Sequence, residues 1–326
     1  MTHSFTIPGL KEISGVTWQH YFKRIVLVLS YSFLIYKLST FPHYDALIQQ
    51  LFHFDFTRFV WLGGVFILLP INWLLESLKW KMLISKLQHF SIFESIQSVF
   101  TGIATGFFTP NRVGEFAGRI AFVNPEFRKA GVTLSFMNSL TQNMTMILCG
   151  VPAFLFFLGL RHTSSSLNSE IYLIVMFLMG IAFAFLYFEF PLLIPYLERK
   201  IKYRSVLDFL LFLSGYSRIE LLKVLIISIL RYIVFCLQFY FMLRFWSVGI
   251  TLLQAAIAIP TSYLFVSFTP AFAFSEPAVR SSYAVMFIGA FVGNQVAILF
   301  AALAIWLINF AIPMLLGSWM WMQKSD

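Results

Sequence analysis

The sequence predicts an all-α protein that crosses a membrane several times. Of its 326 residues, 59% are hydrophobic and only 11% are charged, whereas soluble domains carry about 25% charged residues. Its apolar runs reach roughly 20 residues, the length of a helix that spans a bilayer. A soluble protein with a very large core is excluded, because this composition leaves too few polar residues to form its surface.

Six apolar windows predict membrane-spanning helices. The first window is interpreted as a retained helix, because its apolar run continues past Lys37 without a convincing cleavage site. We therefore expect one membrane domain over residues 1–326. The six windows are 24–43, 58–79, 131–158, 171–190, 224–243 and 293–316.

Two further apolar regions, 92–123 and 252–291, are each too long for one span and are broken by a Thr-Pro pair. Proline removes a helical hydrogen-bond donor and disfavours helix in the residue before it. Each region therefore predicts a hairpin, that is, two helical arms around a broken tip. The predicted breaks are Thr109–Pro110 in the first hairpin and Thr269–Pro270 in the second.

Charge distribution predicts that both hairpins are re-entrant. With a cytoplasmic N-terminus, this topology places most of the 23 lysines and arginines, Lys79 among them, on the cytoplasmic side. If the first hairpin crossed fully, the basic run at 197–204 would lie outside, which the positive-inside rule disfavours. We expect six spans and two re-entrant hairpins in the cytoplasmic (inner) membrane, with both termini cytoplasmic.

The two broken regions also predict an inverted repeat. In each, the Thr-Pro pair is followed by a glutamate and, four residues later, an arginine, and the flanking spans recur as well. The repeat halves cover about 20–160 and 168–318. In the expected topology the two hairpins enter from opposite sides, an arrangement that recurs in secondary transporters.

Charged side chains cluster near the two breaks, in segments that are otherwise apolar. The Glu-Arg pairs lie four residues apart on one helical face, with the acid first, whereas Arg112 and Arg231 have no evident acidic partner in the sequence. An excess of arginine at membrane depth indicates an anionic ligand, and a lipid phosphate suits the arginine fork. The predicted substrate-binding residues are Asn111, Arg112, Glu115, Arg119, Arg231, Gln238, Glu276 and Arg280.

Structural interpretations of these residues stay open. The Glu-Arg pairs would also serve to pin the two hairpins together, and Arg231 would also be stable on backbone carbonyls. Asn138 and Gln142 share a helical face, where they would line a cavity or bond between helices. Asn111 is expected to cap the second arm of the first hairpin.

The sequence contains no recognisable catalytic motif. It has no HExxH, no GxSxG and no Gly-rich phosphate loop, so we expect neither an enzyme nor a metal or other cofactor. Cys149 and Cys236 lie in apolar runs and fit buried small residues. The net charge of +9 is attributed to cytoplasmic loops rather than to nucleic-acid binding.

The segment GFFTPNRVGEFAGRIAF, residues 106–122, resembles the segment with a Pro-x-Arg-x-Gly-Glu core in the transmembrane region of lysylphosphatidylglycerol synthases and of stand-alone flippase-like membrane proteins. PAFAFSEPAVRSS, 270–282, and SILRYIVFCLQFYFML, 228–243, look like two further segments of that family. The segment 270–282 departs from the family pattern, with Phe272–Ala273–Phe274 in place of the usual Gly-Gly. The resemblance covers about 20–318.

The resemblance implies a transporter that moves a phospholipid between leaflets. Because the chain stops at Asp326, we expect transport without the family's soluble aminoacyl-transferring domain, and a separately encoded lipid-synthesising enzyme as a candidate partner. The expected substrate is an aminoacyl-phosphatidylglycerol-like or polyprenyl-phosphate-linked lipid. The alternative is a membrane-embedded lipid-modifying enzyme, or an accessory subunit in lipid-linked glycan synthesis; direction and oligomeric state are left open.

Overall fold

The computed structural model describes residues 56–107, 109, 112–161, 215–271 and 275–323, together with scattered single positions between 24 and 32 and between 171 and 189. Within these residues the fold consists of helices and contains no strand. A 3₁₀ turn, Pro125–Phe127, and a π-helical turn, Leu307–Ala311, supplement the α-helices. These are α1 Phe56–Ile84, α2 Ile92–Gly106, α3 Gly114–Ile120, α4 Arg128–Arg161, α5 Arg218–Phe245, α6 Leu252–Phe268, α7 Glu276–Ile288, α8 Gln295–Trp306 and α9 Ile312–Gln323.

Three helical segments are long and apolar enough to cross a membrane: Phe56–Ile84, Pro125–Leu160 and Gln295–Gln323. They contain the predicted windows 58–79 and 131–158 and cover the window 293–316 from residue 295 onwards, and α5 contains the window 224–243. The protein is therefore a helical protein suited to a membrane. The window 24–43 lies largely outside the described residues and the window 171–190 is described only in part, so the total of six spans stays a prediction.

Local sequence determines where several helices begin. Helices α2, α5 and α6 each start with a capping box, in which the N-cap hydroxyl accepts the N–H of the third helical residue and that residue's side chain accepts the N-cap N–H. The three reciprocal pairs are Ser91 with Glu94, Ser217 with Glu220, and Thr251 with Gln254.

The first hairpin consists of α2 and α3, packed antiparallel at very short range. A Cβ on Gly118 would clash with the backbone of Thr101 and Gly102, so this approach requires a residue without a side chain. At the break, the Thr109 hydroxyl donates to the carbonyl of Gly106 (2.9 Å) and accepts from the N–H of Gly114 (2.7 Å).

The expectation that Asn111 caps the second arm stays a prediction. Val113 occupies the N-cap position of α3 and makes no side-chain cap, while Thr109 takes the Gly114 N–H from across the break. Asn111 and Pro110 themselves lie outside the described residues.

The second hairpin consists of α6 and α7, which also pack antiparallel. Phe265 of α6 contacts the rings of Tyr283 and Phe287, with centroid distances of 5.7 and 5.0 Å. Near the break, the hydroxyls of Thr269 and Tyr283 lie 2.9 Å apart. Helix α7 starts with Glu276 followed by proline, which suits a helix start because its missing N–H is not needed there.

The long helices surround the two hairpins. Helices α1 and α5 run antiparallel along each other. Gln238 of α5 donates to the carbonyl of Val65, and Tyr216, two residues before α5, donates to the carbonyl of Leu83 near the other end of α1. Helix α4 packs on α6, where Gly150 faces Leu264. This arrangement leaves the tips of the two hairpins facing each other inside the bundle.

Candidate functional site

A cavity of about 500 Å³ lies between the hairpin tips, bounded by α1, α4, α5 and the π-helical turn. Its wall is mixed, with aromatic and aliphatic side chains beside a concentrated polar surface. Apolar lining residues include Trp73, Phe107, Phe116, Phe136, Met146, Phe235, Phe268 and Phe310. The polar lining residues include Asn72, Glu76, Arg112, Glu115, Arg119, Asn138, Gln142, Arg231, Glu276, Arg280 and Asn309.

The two hairpins are joined at their tips by an ion pair. Arg112 Nη2 lies 2.9 and 2.7 Å from the two carboxylate oxygens of Glu276, and Arg280 donates to Glu276 Oε1 from Nε at 2.9 Å. Both guanidinium groups also stack on Phe310, at 3.9 and 4.6 Å from the ring centroid. We call this group the tip cluster.

The backbone of Arg112 is left-handed, with φ at 60°. This conformation is uncommon for a residue with a side chain, and such residues tend to occur at functional sites. It positions the Arg112 side chain across to the second hairpin, where Glu276 receives it.

A second group of charges lies around Glu76 of α1, and we call it the deep cluster. Glu76 Oε1 accepts from Arg119 Nη2 at 2.6 Å and from the Asn138 amide at 2.8 Å. Its other oxygen lies 3.0 Å from Lys79 Nζ and 3.1 Å from Arg231 Nη1. One buried carboxylate therefore holds three cations, which come from α1, the first hairpin and α5.

Amide side chains extend the hydrogen bonding of the deep cluster. Gln142 Oε1 accepts from Lys79 at 3.3 Å and from Arg231 at 3.1 Å. Asn72 accepts from Arg231 Nε at 3.0 Å and donates to Asn309 in the π-helical turn at 2.9 Å. Such a network orients the buried charges, because neighbouring polar groups bond to one another.

Glu115 lies between the two clusters. Its oxygens are 3.8 Å from Arg112 Nη1 and 3.5 Å from Arg119 Nη2. The latter contact is the i,i+4 pair that the sequence spacing predicts. Glu115 thus links the two clusters, although through longer contacts than those of Glu76 and Glu276.

Positive charge exceeds negative charge in this region. The two clusters, together with Glu115 between them, contribute five cations and three carboxylates, which leaves an excess of two positive charges if all are ionised. Uncompensated charge at membrane depth is costly. The cavity is therefore electrostatically suited to an anion. The cations are Lys79, Arg112, Arg119, Arg231 and Arg280, and the acids are Glu76, Glu115 and Glu276.

Several buried polar atoms in the cavity wall have no hydrogen-bond partner among the described residues. They are the donor or hydroxyl atoms Arg119 Nη1, Trp73 Nε1, Tyr232 Oη and Tyr263 Oη, together with the acceptors Asn138 Oδ1 and Glu76 Oε2. Buried polar groups in folded proteins almost always bond to protein or water. The cavity wall therefore keeps hydrogen-bonding capacity that its own side chains do not use.

The cavity reaches the molecular surface between α4 and the end of α6. Phe136 of α4 and Phe268 of α6 both line the cavity and are 41% and 66% exposed. Asn143 and Ser267 beside them are exposed lining residues as well. We call this opening the lateral mouth; its rim is partly apolar, whereas the opposite wall is charged.

Most residues singled out in the sequence converge on this cavity. Gln238 does not: it is buried, donates to the carbonyl of Val65 at 3.2 Å and lies at the contact between α5 and α1. Asn111 and Pro110 lie outside the described residues. The cavity lining includes Thr109, Arg112, Glu115, Arg119, Asn138, Gln142, Arg231, Thr269, Pro270, Glu276 and Arg280.

One expectation about the charges is wrong. Arg112 and Arg231 do have acidic partners, Glu276 and Glu76 respectively, each from a distant part of the chain. Lys79 is completely buried in the deep cluster, and its assignment to the cytoplasmic side stays a prediction.

Sequence reasoning missed Asn72, Glu76 and Asn309 as site residues. A signal for Glu76 was present, because an acid within the apolar run of residues 58–79 is as unusual as the arginines that were selected. The signal for Asn309 was weaker, because a single asparagine in a membrane span is commonly explained by a hydrogen bond between helices.

Comparison with protein-family models, with curated proteins and with solved structures found no match for this chain. The family resemblance of residues 106–122 therefore remains a prediction from that motif. Within the described residues, no group of His, Cys, Asp and Glu side chains is arranged to hold a metal ion.

Proposed function

We propose that this chain is a lipid transporter of the flippase type, which moves an anionic or zwitterionic phospholipid across the cytoplasmic membrane. The observation that carries the proposal is the cavity itself. It combines an excess of cationic side chains on its inner wall with a lateral mouth between α4 and α6 whose rim includes exposed phenylalanines. A molecule with a phosphate at one end and acyl chains at the other matches both surfaces.

The cationic wall supports recognition of the headgroup phosphate. Guanidinium groups bind phosphate through charge-assisted hydrogen bonds, and four arginines line one cavity. In the empty state the three carboxylates offset part of this positive charge, which lowers the free-energy cost of placing arginines at membrane depth. A carboxylate would also suit the amine of a zwitterionic headgroup.

The lateral mouth supports a route on which acyl chains stay in the bilayer. Phe136 and Phe268 expose apolar surface at the rim, so hydrocarbon chains would keep apolar neighbours while the headgroup occupies the cavity. Only the headgroup would then have to cross the polar interior.

The proposed membrane arrangement has six spans and two re-entrant hairpins, as an inverted repeat with cytoplasmic termini. Support comes from the two antiparallel hairpins whose tips meet through Arg112 and Glu276. Irregular backbone at membrane depth is tolerated where it lines a cavity, and both breaks contribute lining residues, Thr109 and Thr269. Transport would proceed by rocking of one repeat against the other.

The substrate class within this proposal is a phospholipid of the aminoacyl-phosphatidylglycerol or polyprenyl-phosphate-linked type, without a cofactor or nucleic acid. A separately encoded enzyme would supply the lipid. An embedded lipid-modifying enzyme would differ by changing the mass of the lipid during turnover, which mass spectrometry detects directly.

The test compares two arginines of the same helix. Arg231 of α5 lines the cavity, whereas Arg244 of α5 lies over Trp61 and is not among the lining residues. We expect Arg231→Gln to reduce retention of a phospholipid in native mass spectrometry by about tenfold or more, since charge-assisted hydrogen bonds are lost, and to slow flipping of fluorescent phosphatidylglycerol in proteoliposomes. Arg244→Gln serves as the matched control.

Melting temperatures in detergent establish that both variants are folded. If folded Arg231→Gln and Arg280→Gln proteins retain and move lipid as the unmodified protein does, the transport proposal is rejected. Loss of both activities in the cavity variants alone supports it.

A further inference from the structure

The two hairpins place the same Glu-Arg spacing in different environments. Glu276 is held tightly, at 2.7 Å from Arg112 and 2.8 Å from Arg280. Glu115 is held loosely, with its two oxygens 3.8 Å from Arg112 and 3.5 Å from Arg119. Hydrogen bonds to oxygen have typical lengths of about 2.7–3.2 Å, so Glu115 makes ion pairs without good hydrogen bonds.

The loosely held carboxylate occupies a position that suits a phosphate. Each of its two oxygens faces a different arginine. A phosphodiester likewise presents two non-bridging oxygens, which share one negative charge. Glu115 lines the cavity and its side chain is 17% exposed. The carboxylate therefore has space to leave its position.

Both arginines keep a second anchor when Glu115 leaves. Arg112 remains fixed by Glu276 and by the ring of Phe310, and Arg119 remains fixed by its 2.6 Å contact with Glu76. An incoming phosphate would thus find two guanidinium groups already in place, which lowers the entropic cost of binding.

Arg119 also has unused hydrogen-bonding capacity. It is 3% exposed, lines the cavity, and its Nη1 atom has no hydrogen-bond partner among the described residues. Because Nη1 is also buried, a phosphate oxygen would contact this donor only after neighbouring side chains move.

We propose that Glu115 is an internal competitor, which occupies the phosphate position in the empty cavity and is displaced by the substrate's phosphate from between Arg112 and Arg119. This inference rests on the proposed function and specifies where the headgroup binds. The inference assigns different roles to the two glutamates. Glu276 holds the hairpin tips together, whereas Glu115 is displaced by the ligand.

The competitor role predicts that removing the charge of Glu115 strengthens binding. The apparent dissociation constant of the phosphate rises when Glu115 occupies its position, because only the fraction of protein with that position free can bind. We expect Glu115→Gln to bind dioctanoyl phosphatidic acid about tenfold more tightly than the unmodified protein, in calorimetric titrations of detergent-solubilised protein. Dioctanoylglycerol, which lacks the phosphate, should show no such gain.

Two further variants, Arg112→Gln and Arg280→Gln, show whether Glu115 competes for one binding position or only lowers the electrostatic potential of the whole cavity. Arg112 and Arg280 both pair with Glu276 and stack on Phe310, but Arg112 also contacts Glu115. The gain from Glu115→Gln should therefore disappear in Arg112→Gln and persist in Arg280→Gln. An equal gain in both backgrounds would overturn the inference.

The outcomes also distinguish the inference from the function on which it rests. If Arg112→Gln and Arg280→Gln weaken binding of phosphatidic acid while Glu115→Gln leaves it unchanged or weaker, the competitor role is wrong and lipid binding in the cavity stands. If none of the three folded variants alters binding, the proposed function itself fails. Circular dichroism and melting temperatures establish folding in each case.

Discussion

Arg112, at the tip of the first hairpin, directs one guanidinium nitrogen to both carboxylate oxygens of Glu276, the first residue of α7, at 2.9 and 2.7 Å. The two residues are 164 positions apart in the chain. This contact connects the two hairpins, while Glu276 also pairs with Arg280 on its own helix. The relative position of the hairpin tips therefore depends on one shared carboxylate.

The connection predicts energetic coupling between the two residues. We expect Arg112→Gln and Glu276→Gln to be non-additive in unfolding free energy, with a coupling of about 1–3 kcal/mol, because both substitutions remove the same ion pair. Denaturant titrations of the two single variants and the double variant in mixed micelles provide the measurement. Additive effects would show that the contact does not stabilise the fold.

The deep cluster predicts that Glu76 is the most sensitive carboxylate for stability. Glu76→Gln leaves Lys79, Arg119 and Arg231 without their shared acid, and breaking a buried ion pair from one side costs about 3–5 kcal/mol. Thermal unfolding in detergent, with the exposed Glu126→Gln as the control, measures the difference.

A second substitution tests whether uncompensated charge is the cause. Adding Lys79→Met to Glu76→Gln removes one of the three unpaired cations and should recover part of the lost stability. If Glu76→Gln unfolds at the temperature of Glu126→Gln, or if Lys79→Met brings no recovery, the deep cluster is not a stability determinant.

The sequence predicted contacts that depend on local spacing. Glu115 and Arg119, or Glu276 and Arg280, meet because residues four apart share a helical face. The helical arms on either side of each Thr-Pro break follow in the same way from proline's missing donor. Short-range chemistry determines these features, so no knowledge of the packing is needed.

Contacts between distant segments could not be predicted in this way. Gln238 follows Arg231 by about two helical turns, yet α5 faces α1 at Gln238 and the cavity at Arg231. Lys79 was counted with Lys81 and Lys86 by charge alone, and its complete burial beside Glu76 was not predicted. Which element lies opposite a residue is a tertiary property that spacing alone does not encode.

The close contact of α9 with α2 predicts that Gly317 is intolerant of a side chain. A Cβ at Gly317 would clash with the carbonyl group of Phe100, and the clash involves backbone that cannot move without shifting a helix. We expect Gly317→Ala to lower the unfolding free energy by about 1–3 kcal/mol. Gly159→Ala is the matched control, since no atom lies within 4 Å of its Cβ position in α4.

Alanine has the higher helix propensity, by up to about 1 kcal/mol, so Gly159→Ala should be neutral or stabilising. Melting curves of both variants decide the prediction. Equal stability of Gly317→Ala and the unmodified protein would mean that α2 and α9 separate easily at this point.

The ion pair between Lys86 and Glu220, at the junction of α1 and α5, predicts a dependence of stability on acid pH. Glu220 precedes the apolar window 224–243 and accepts from Lys86 Nζ at 2.8 Å and from the Ser217 N–H at 2.8 Å. These hydrogen bonds lower the pKa of Glu220 from 4.5 to about 2. Because the folded-state pKa is depressed, the stabilisation is present above pH 4.5 and is lost as the pH falls towards 2.

Replacing Glu220 with Gln should therefore flatten the dependence of melting temperature on pH between about 5 and 2. The effect should stay below about 1 kcal/mol, since the Glu220 side chain is 39% exposed and solvent screens such pairs. Melting curves in detergent at a series of pH values, with Glu126→Gln as the control for a carboxylate on the surface, measure the slope. A slope identical to that of the unmodified protein would show that neither the Lys86 contact nor the Ser217 N–H lowers the pKa of Glu220 in solution.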